Sequence, residues 1–177
     1  MTIVADAAAS SAGLLIARLV LGLLMAAHGA QKLFGWFGGH GLAGTGGFLE
    51  SLGFRPGRLF ATAAALTELG SGLLVALGFL GPLGSALMIS VMIVAAGSVH
   101  WKNGVFATSN GIELPLLYAA GAFALALTGP GPLSLDALLG LEAIWTPIVV
   151  WTALGVGIAG GIASLAARRL DPGAPPA

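Results

Sequence analysis

Residues 13–39 read GLLIARLVLGLLMAAHGAQKLFGWFGG. The run is long and apolar enough to cross a bilayer, yet it holds Arg18, His28, Gln31 and Lys32. A charge near the centre of a bilayer is costly by at least about 2.5 kcal/mol. Ionisable residues kept in such a place need partners or a task. This one stretch therefore sets both the expected environment and the first candidate site.

The rest of the chain has the same character. Of its 177 residues, 57% are hydrophobic and 8% are charged, against roughly 25% charged in a soluble domain. The mean hydropathy is +0.98. Five apolar segments stand out, at about 13–34, 59–80, 83–100, 112–128 and 144–167. Each is near the roughly 17–25 residues that span a hydrocarbon core. Backbone groups in lipid must be satisfied within their own segment, so helices are expected rather than open strands. The expected fold class is all-α: a polytopic membrane protein whose ligands and partners meet it in or at the lipid bilayer.

Composition also removes whole classes of chemistry. The chain has no cysteine, so it offers no disulfide relay, no ligated iron–sulfur cluster and no thiolate nucleophile. Net charge is zero, which gives no electrostatic case for nucleic acid. Residues 1–13 contain no Lys or Arg, so the basic start of a secretory signal peptide is missing, and the first helix is expected to stay in the mature protein. No clustering of ligand residues calls for a metal.

Lys32, Arg55, Arg58, Lys102, Arg168 and Arg169 fall on one face if all five segments cross. The positive-inside rule then predicts a bacterial inner membrane protein with its N-terminus outside and its C-terminus cytoplasmic. The fifth segment has the weakest pattern, with Pro147 near its start and many glycines. Omitting it would put Arg168 and Arg169 on the wrong side. The expected organisation is a four-helix core over residues 1–136, with an interfacial loop at 35–58. A linker, an added helix and a Pro-rich tail would follow over 137–177.

In the first helix, Arg18, Gly22, Met25, Gly29 and Lys32 form one stripe, with His28 about 80° away from Arg18. Glycine in such a stripe lets a neighbouring helix approach closely. Glu68, mid-way along the second segment, is the natural partner of this stripe. Arg18 is expected about 8 Å to one side of the midplane and His28 about 7 Å to the other, so either can reach it. Two readings follow. Arg18 and Glu68 form a structural ion pair that holds the bundle, or Glu68 works beside His28 as a proton-passing pair, because an unpaired carboxyl at that depth takes up a proton.

A second polar group lies near the ends of the third and fourth segments. Asn110 followed by Glu113 has the shape of a helix N-cap with its reciprocal residue. Alternatively, His28, Gln31, His100 and Glu113, with Lys32 close by, meet at one depth as a binding pocket for a quinone or a lipid head group. Two histidines can also hold a haem, but no spacing here calls for one, and no cofactor is strictly required. Gly39–Gly44 matches G-x-G-x-x-G without a strand before it, so the dinucleotide reading fails. Leu42, Phe48, Leu49 and Leu52 suggest instead a short helix on the membrane surface.

Arg18-Leu19 and then His28-Gly29-x-Gln31-Lys32-Leu33-Phe34-Gly35-Trp36-Phe37-Gly38-Gly39 resemble the signature of the DoxX family of bacterial membrane proteins. The resemblance continues through Gly41-Leu42-x-Gly44, Phe48…Leu52-Gly53 and Glu68-Leu69-x-Ser71-Gly72. It closes with Asn110-Gly111-x-Glu113-Leu114 and Gly129-Pro130-Gly131…Ser134-Leu135-Asp136, covering about residues 14–136. It implies a four-helix membrane bundle, here with a fifth helix added. It also implies a redox-associated role, quinone-linked or tied to sulfur and oxidative stress, as a subunit of a quinone-linked oxidoreductase working with a partner redox protein. On that reading His28 and Glu68 are catalytic, and Gln31, Lys32, His100 and Glu113 bind the cofactor. The competing classes are a structural or chaperone-like scaffold, self-associating or docked to another protein, and a lipid or small-solute binding protein.

Overall fold

The computed structural model describes residues 7–169, and among them there is no strand. The helices are α1 (Ala7–Phe34), α2 (Gly41–Ser51), α3 (Gly57–Leu77), α4 (Pro82–Ala95), α5 (Glu113–Thr128), α6 (Leu135–Leu138) and α7 (Pro147–Ala166). α4 runs on through a π turn at Ala96–His100 and a 3-10 turn at Trp101–Asn103. Four stretches are long and apolar enough to cross a membrane: Ala7–Phe34, Gly57–Leu77, Pro82–Asn103 and Pro147–Ala166. α5 is shorter, at 16 residues, about 24 Å of helix. The all-α polytopic bundle expected from the hydropathy pattern is the fold observed.

α1 and α3 make the most extensive contact in the molecule. Gly22 lies against Gly72 and Ala76, and Gly29 against Ala65 and Leu69, so close that a Cβ at either glycine would overlap the α3 backbone. In lipid, where apolar burial does not drive helices together, such close packing is a main source of cohesion. The order of those contacts makes the pair antiparallel. It also fixes the register: Arg18 lies against Gly78, and His28 is level with Glu68.

α4 is the central helix, packed on α3, α5 and α7. Met25, Val75, Met88, Ile89 and Leu154 belong to one core cluster, so α7 contributes to the same core as α1, α3 and α4. α7 runs parallel to α4, with Gly157 against Ala86 and Gly161 against Ser90. At its end the Arg169 amide donates to the Gly53 carbonyl at 2.8 Å. The Arg168 Nε donates to the Leu52 carbonyl at 2.9 Å, and its guanidinium lies 5.5 Å above the Phe54 ring.

The alternation places Lys32, Arg55, Arg58, Lys102, Arg168 and Arg169 at one end of the bundle, the basic end. α2 lies across that end against α3, with Leu52 and Phe54 buried and Phe48 left outward. The opposite end is formed by the α3–α4 turn at 78–81 and the segment 129–146, which folds back over it. This is the hairpin end.

Candidate functional site

Among the described residues two carboxylates are buried, and each has a cation from α1 beside it. The first is Glu68. Its Oε2 lies 2.5 Å from the Lys32 Nζ, with the side chains 5% and 30% exposed. Helical side chains lean toward the N-terminus of their own helix. On an antiparallel pair, Lys32 therefore leans back toward the level of His28 while Glu68 leans toward the level of Lys32, and the two meet. Ser71 is also buried, and its hydroxyl donates to the Glu68 carbonyl at 3.2 Å.

The expected Arg18–Glu68 ion pair is not formed. Arg18 is about 21 Å from Lys32 along α1, opposite Gly78, and it leans away from Glu68. Its NH2 donates to the Leu133 carbonyl at 2.5 Å, and its charged neighbour is Asp136. Arg18 is 2% exposed and Asp136 is 0% exposed. Gly78 ends α3 in the left-handed conformation, at φ 63°, and a Cβ there would overlap the Arg18 guanidinium.

Asp136 closes the hairpin end. Its Oδ1 accepts from the Leu80 amide at 2.9 Å and its Oδ2 from the Gly81 amide at 2.6 Å. Its own amide donates to the Gly78 carbonyl at 3.0 Å. Ser134 caps α6, taking the Ala137 amide at 3.2 Å. One carboxylate thus satisfies two amides of the α3–α4 turn and pins segment 129–146 to it.

The remaining sequence candidates fall into two local groups. His28 Nδ1 donates to Gln31 Oε1 at 3.2 Å, and Gln31 Nε2 donates to the Phe37 carbonyl at 3.2 Å. The His28 ring meets Tyr118 of α5 edge-on, with centroids 6.0 Å apart. The second group is the loop 101–112. His100 Nδ1 donates to the Asn110 carbonyl at 2.8 Å, which makes that nitrogen the protonated one, since a carbonyl only accepts. Glu113 Oε2 accepts from the Ala107 amide at 2.6 Å.

Of the four residues expected to share a pocket, His28 and Gln31 bond to one another on α1, while His100 and Glu113 are each engaged by the connection between α4 and α5. Asn110 is not the helix N-cap expected from its spacing to Glu113. It sits in the left-handed region at φ 61°, and Ile112 is the residue before α5. The sequence signal was real but belonged to a tight turn, where Asn tolerates that conformation.

Asp136 and Tyr118 were not singled out as site residues from sequence. An acidic residue two positions after a capping Ser, in an otherwise apolar loop, is the signal that finds Asp136. For Tyr118 the only signal is its rarity, since it is the one tyrosine of the chain.

The DoxX family model matches residues 13–101. The chain is 30% identical over 127 residues to the inner membrane protein YqjF of Escherichia coli, a match covering 72% of this chain and 92% of that protein. No solved structure matches it. The match spans α1 with its Arg18–Lys32 stripe, the α2 cover, Glu68 and the whole of α4, and the chain belongs to the DoxX family.

Proposed function

We propose that this membrane protein serves a redox system in the bacterial inner membrane, with the Lys32–Glu68 pair as its proton-handling centre. The observation that carries the proposal is a carboxylate 5% exposed and paired with a lysine 30% exposed, mid-way along a spanning helix. His28 and Tyr118 stand near it, at the contact between α1 and α5. That contact is far less extensive than the one between α1 and α3, which favours it as the side from which an oxygenated ring such as a quinone head approaches the pair.

In this reading the partner redox protein supplies two electrons, and His28 and Glu68 pass the two protons that quinone reduction consumes. Gln31 and Lys32 hold the head group. His100 and Glu113 join them only by giving up their bonds to Asn110 and Ala107. On this reading the basic end faces the cytoplasm, by the positive-inside rule.

The test is binding of a short-chain ubiquinone analogue to the purified protein in detergent. Glu68→Gln and His28→Ala are each expected to weaken binding about tenfold, roughly one charge-assisted hydrogen bond. Binding that is absent from the wild type, or unchanged in both variants, overturns the redox reading.

A scaffold role is favoured by a different observation: the Arg18–Leu133–Asp136 arrangement fixes the hairpin end as a rigid surface. On that reading, loosening the hairpin end with Asp136→Asn lowers the cellular level of a co-purifying protein, while Glu68→Gln leaves it unchanged.

A further inference from the structure

The turn that follows α1 is built onto Gln31. Gly35 is left-handed at φ 75°, and so is Phe37 at φ 51°, a region that an aromatic residue seldom occupies. Gly39 then lies so close that a Cβ there would overlap the Gln31 backbone. The Gly35 amide donates to the Gln31 carbonyl at 3.1 Å, and the Gly39 amide to the Trp36 carbonyl at 2.9 Å. Folded this way, the turn brings the Phe37 carbonyl to the Gln31 side chain, at 3.2 Å.

That contact decides where two hydrogens sit. A carbonyl only accepts, so the Gln31 atom facing Phe37 is the amide nitrogen, and Oε1 is left for His28. Gln31 Oε1 also only accepts, so the His28 nitrogen 3.2 Å from it, Nδ1, carries the hydrogen. In the neutral ring Nε2 is then the bare nitrogen, an acceptor. It has no hydrogen-bond partner among the described residues. The shape of the ring aims Nε2 away from Gln31, and the side chain is exposed where α1 meets α5, edge-on to Tyr118. The polar groups beside it, the Lys32 ammonium and the Tyr118 hydroxyl, can both donate.

We propose that Gln31 is a positioning residue that holds His28 as the Nδ1–H tautomer, so that Nε2 favours a ring bearing a hydroxyl, a quinol over the corresponding quinone. The choice of ligand rests on the proposed redox role, whereas the tautomer rests on the hydrogen bonds alone. A quinone offers only acceptor oxygens, which take hydrogens from Lys32 and Tyr118 and give none to Nε2. A quinol hydroxyl gives one to Nε2 and still accepts from the donors beside it. Binding the product more tightly than the substrate draws quinone reduction forward.

The chain has three histidines, so nitrogen NMR of the full-length protein, isotopically labelled at histidine, in detergent at alkaline pH, reads the tautomer directly. His28→Ala assigns the His28 signals. The wild type is expected to show His28 protonated at Nδ1 and bare at Nε2. Gln31→Leu removes the acceptor and should move the hydrogen to Nε2, the nitrogen that carries it in free histidine. Binding is then compared for the reduced and oxidised forms of one short-chain ubiquinone analogue, without oxygen. The wild type should favour the reduced form about tenfold, roughly one hydrogen bond, and Gln31→Leu should lose that preference. A purely structural role for Gln31 would weaken both forms alike and leave the hydrogen on Nδ1. His28 protonated at Nε2 in the wild type, or a tautomer unchanged in Gln31→Leu, overturns the proposal and leaves the redox role standing. So does equal or weaker binding of the reduced form by a wild type with the expected tautomer. Failure of both forms to bind, with the tautomer as expected, overturns the redox role and the choice of ligand together. The wild-type measurements decide the matter even if Gln31→Leu does not fold.

Discussion

Glu68 and Asp136 are both buried carboxylates with a basic residue of α1 beside them, yet they are built in opposite ways. Asp136 is 0% exposed. Each of its oxygens holds an amide of the α3–α4 turn, and its cationic neighbour Arg18 is itself 2% exposed and bonded to a carbonyl. Among the described residues the Glu68 carboxylate has one direct partner, Lys32, whose side chain is 30% exposed. The first arrangement is closed and made of short, fixed bonds to backbone. The second is open on one side and depends on a flexible side chain. A closed carboxylate fixes structure, while an open one can exchange its partner or its proton.

The strongest way to break that contrast is at the hairpin end. Asp136→Ala removes the acceptor from two amides and leaves Arg18 without its counter-charge. The expected loss is about 3–5 kcal/mol, read by denaturant unfolding in detergent. A loss comparable to that of a surface substitution would mean that the closed centre is not structural.

Gly78→Ala tests the same end from the backbone side. An alanine held at φ 63° costs about 1–2 kcal/mol, and its Cβ also displaces the Arg18 guanidinium. The same unfolding measurement should show a loss larger than that of Gly70→Ala, where a Cβ meets open space.

Lys32→Met sharpens the open side of the comparison. It should destabilise by about 1–3 kcal/mol, the usual cost of removing one partner of a buried polar group, and less than Asp136→Ala because Lys32 is partly exposed. Adding Glu68→Leu should restore most of the loss, since apolar replacement of both members of a buried pair is often neutral or better. A double variant less stable than Lys32→Met alone would contradict the pair.

The smallest effect is expected at Glu113→Gln, in the loop between α4 and α5. Global stability should change by about 0.5–1 kcal/mol. Hydrogen exchange at the Ala107 amide should accelerate, because that amide loses its charged acceptor.

The spans, the single basic end and the glycine faces of α1 were legible in the sequence because each rests on a local pattern: apolar run length, charge alternation or 3.6-residue spacing. The pairing of Glu68 was not. From residue depth alone Arg18 and His28 were each within reach, and only the α1–α3 register, set by Gly22 and Gly29 against the α3 backbone, brings Lys32 to Glu68. Segment 129–146 was legible as a break between helices. Its return over the α3–α4 turn depends on one aspartate meeting two amides more than fifty positions away in the chain. His100 and Glu113 carried the right chemistry for a shared pocket, but a turn with left-handed Asn110 gives each a nearer partner.

The central claim is that Lys32, and not Arg18, is the partner of Glu68. Two double-mutant cycles on unfolding free energy test it, one combining Lys32→Met with Glu68→Gln and the other Arg18→Met with Glu68→Gln. The account predicts a coupling of about 1–3 kcal/mol in the first cycle, and in the second additivity to within about 0.5 kcal/mol. Strong coupling between Arg18 and Glu68, with additivity between Lys32 and Glu68, would contradict it.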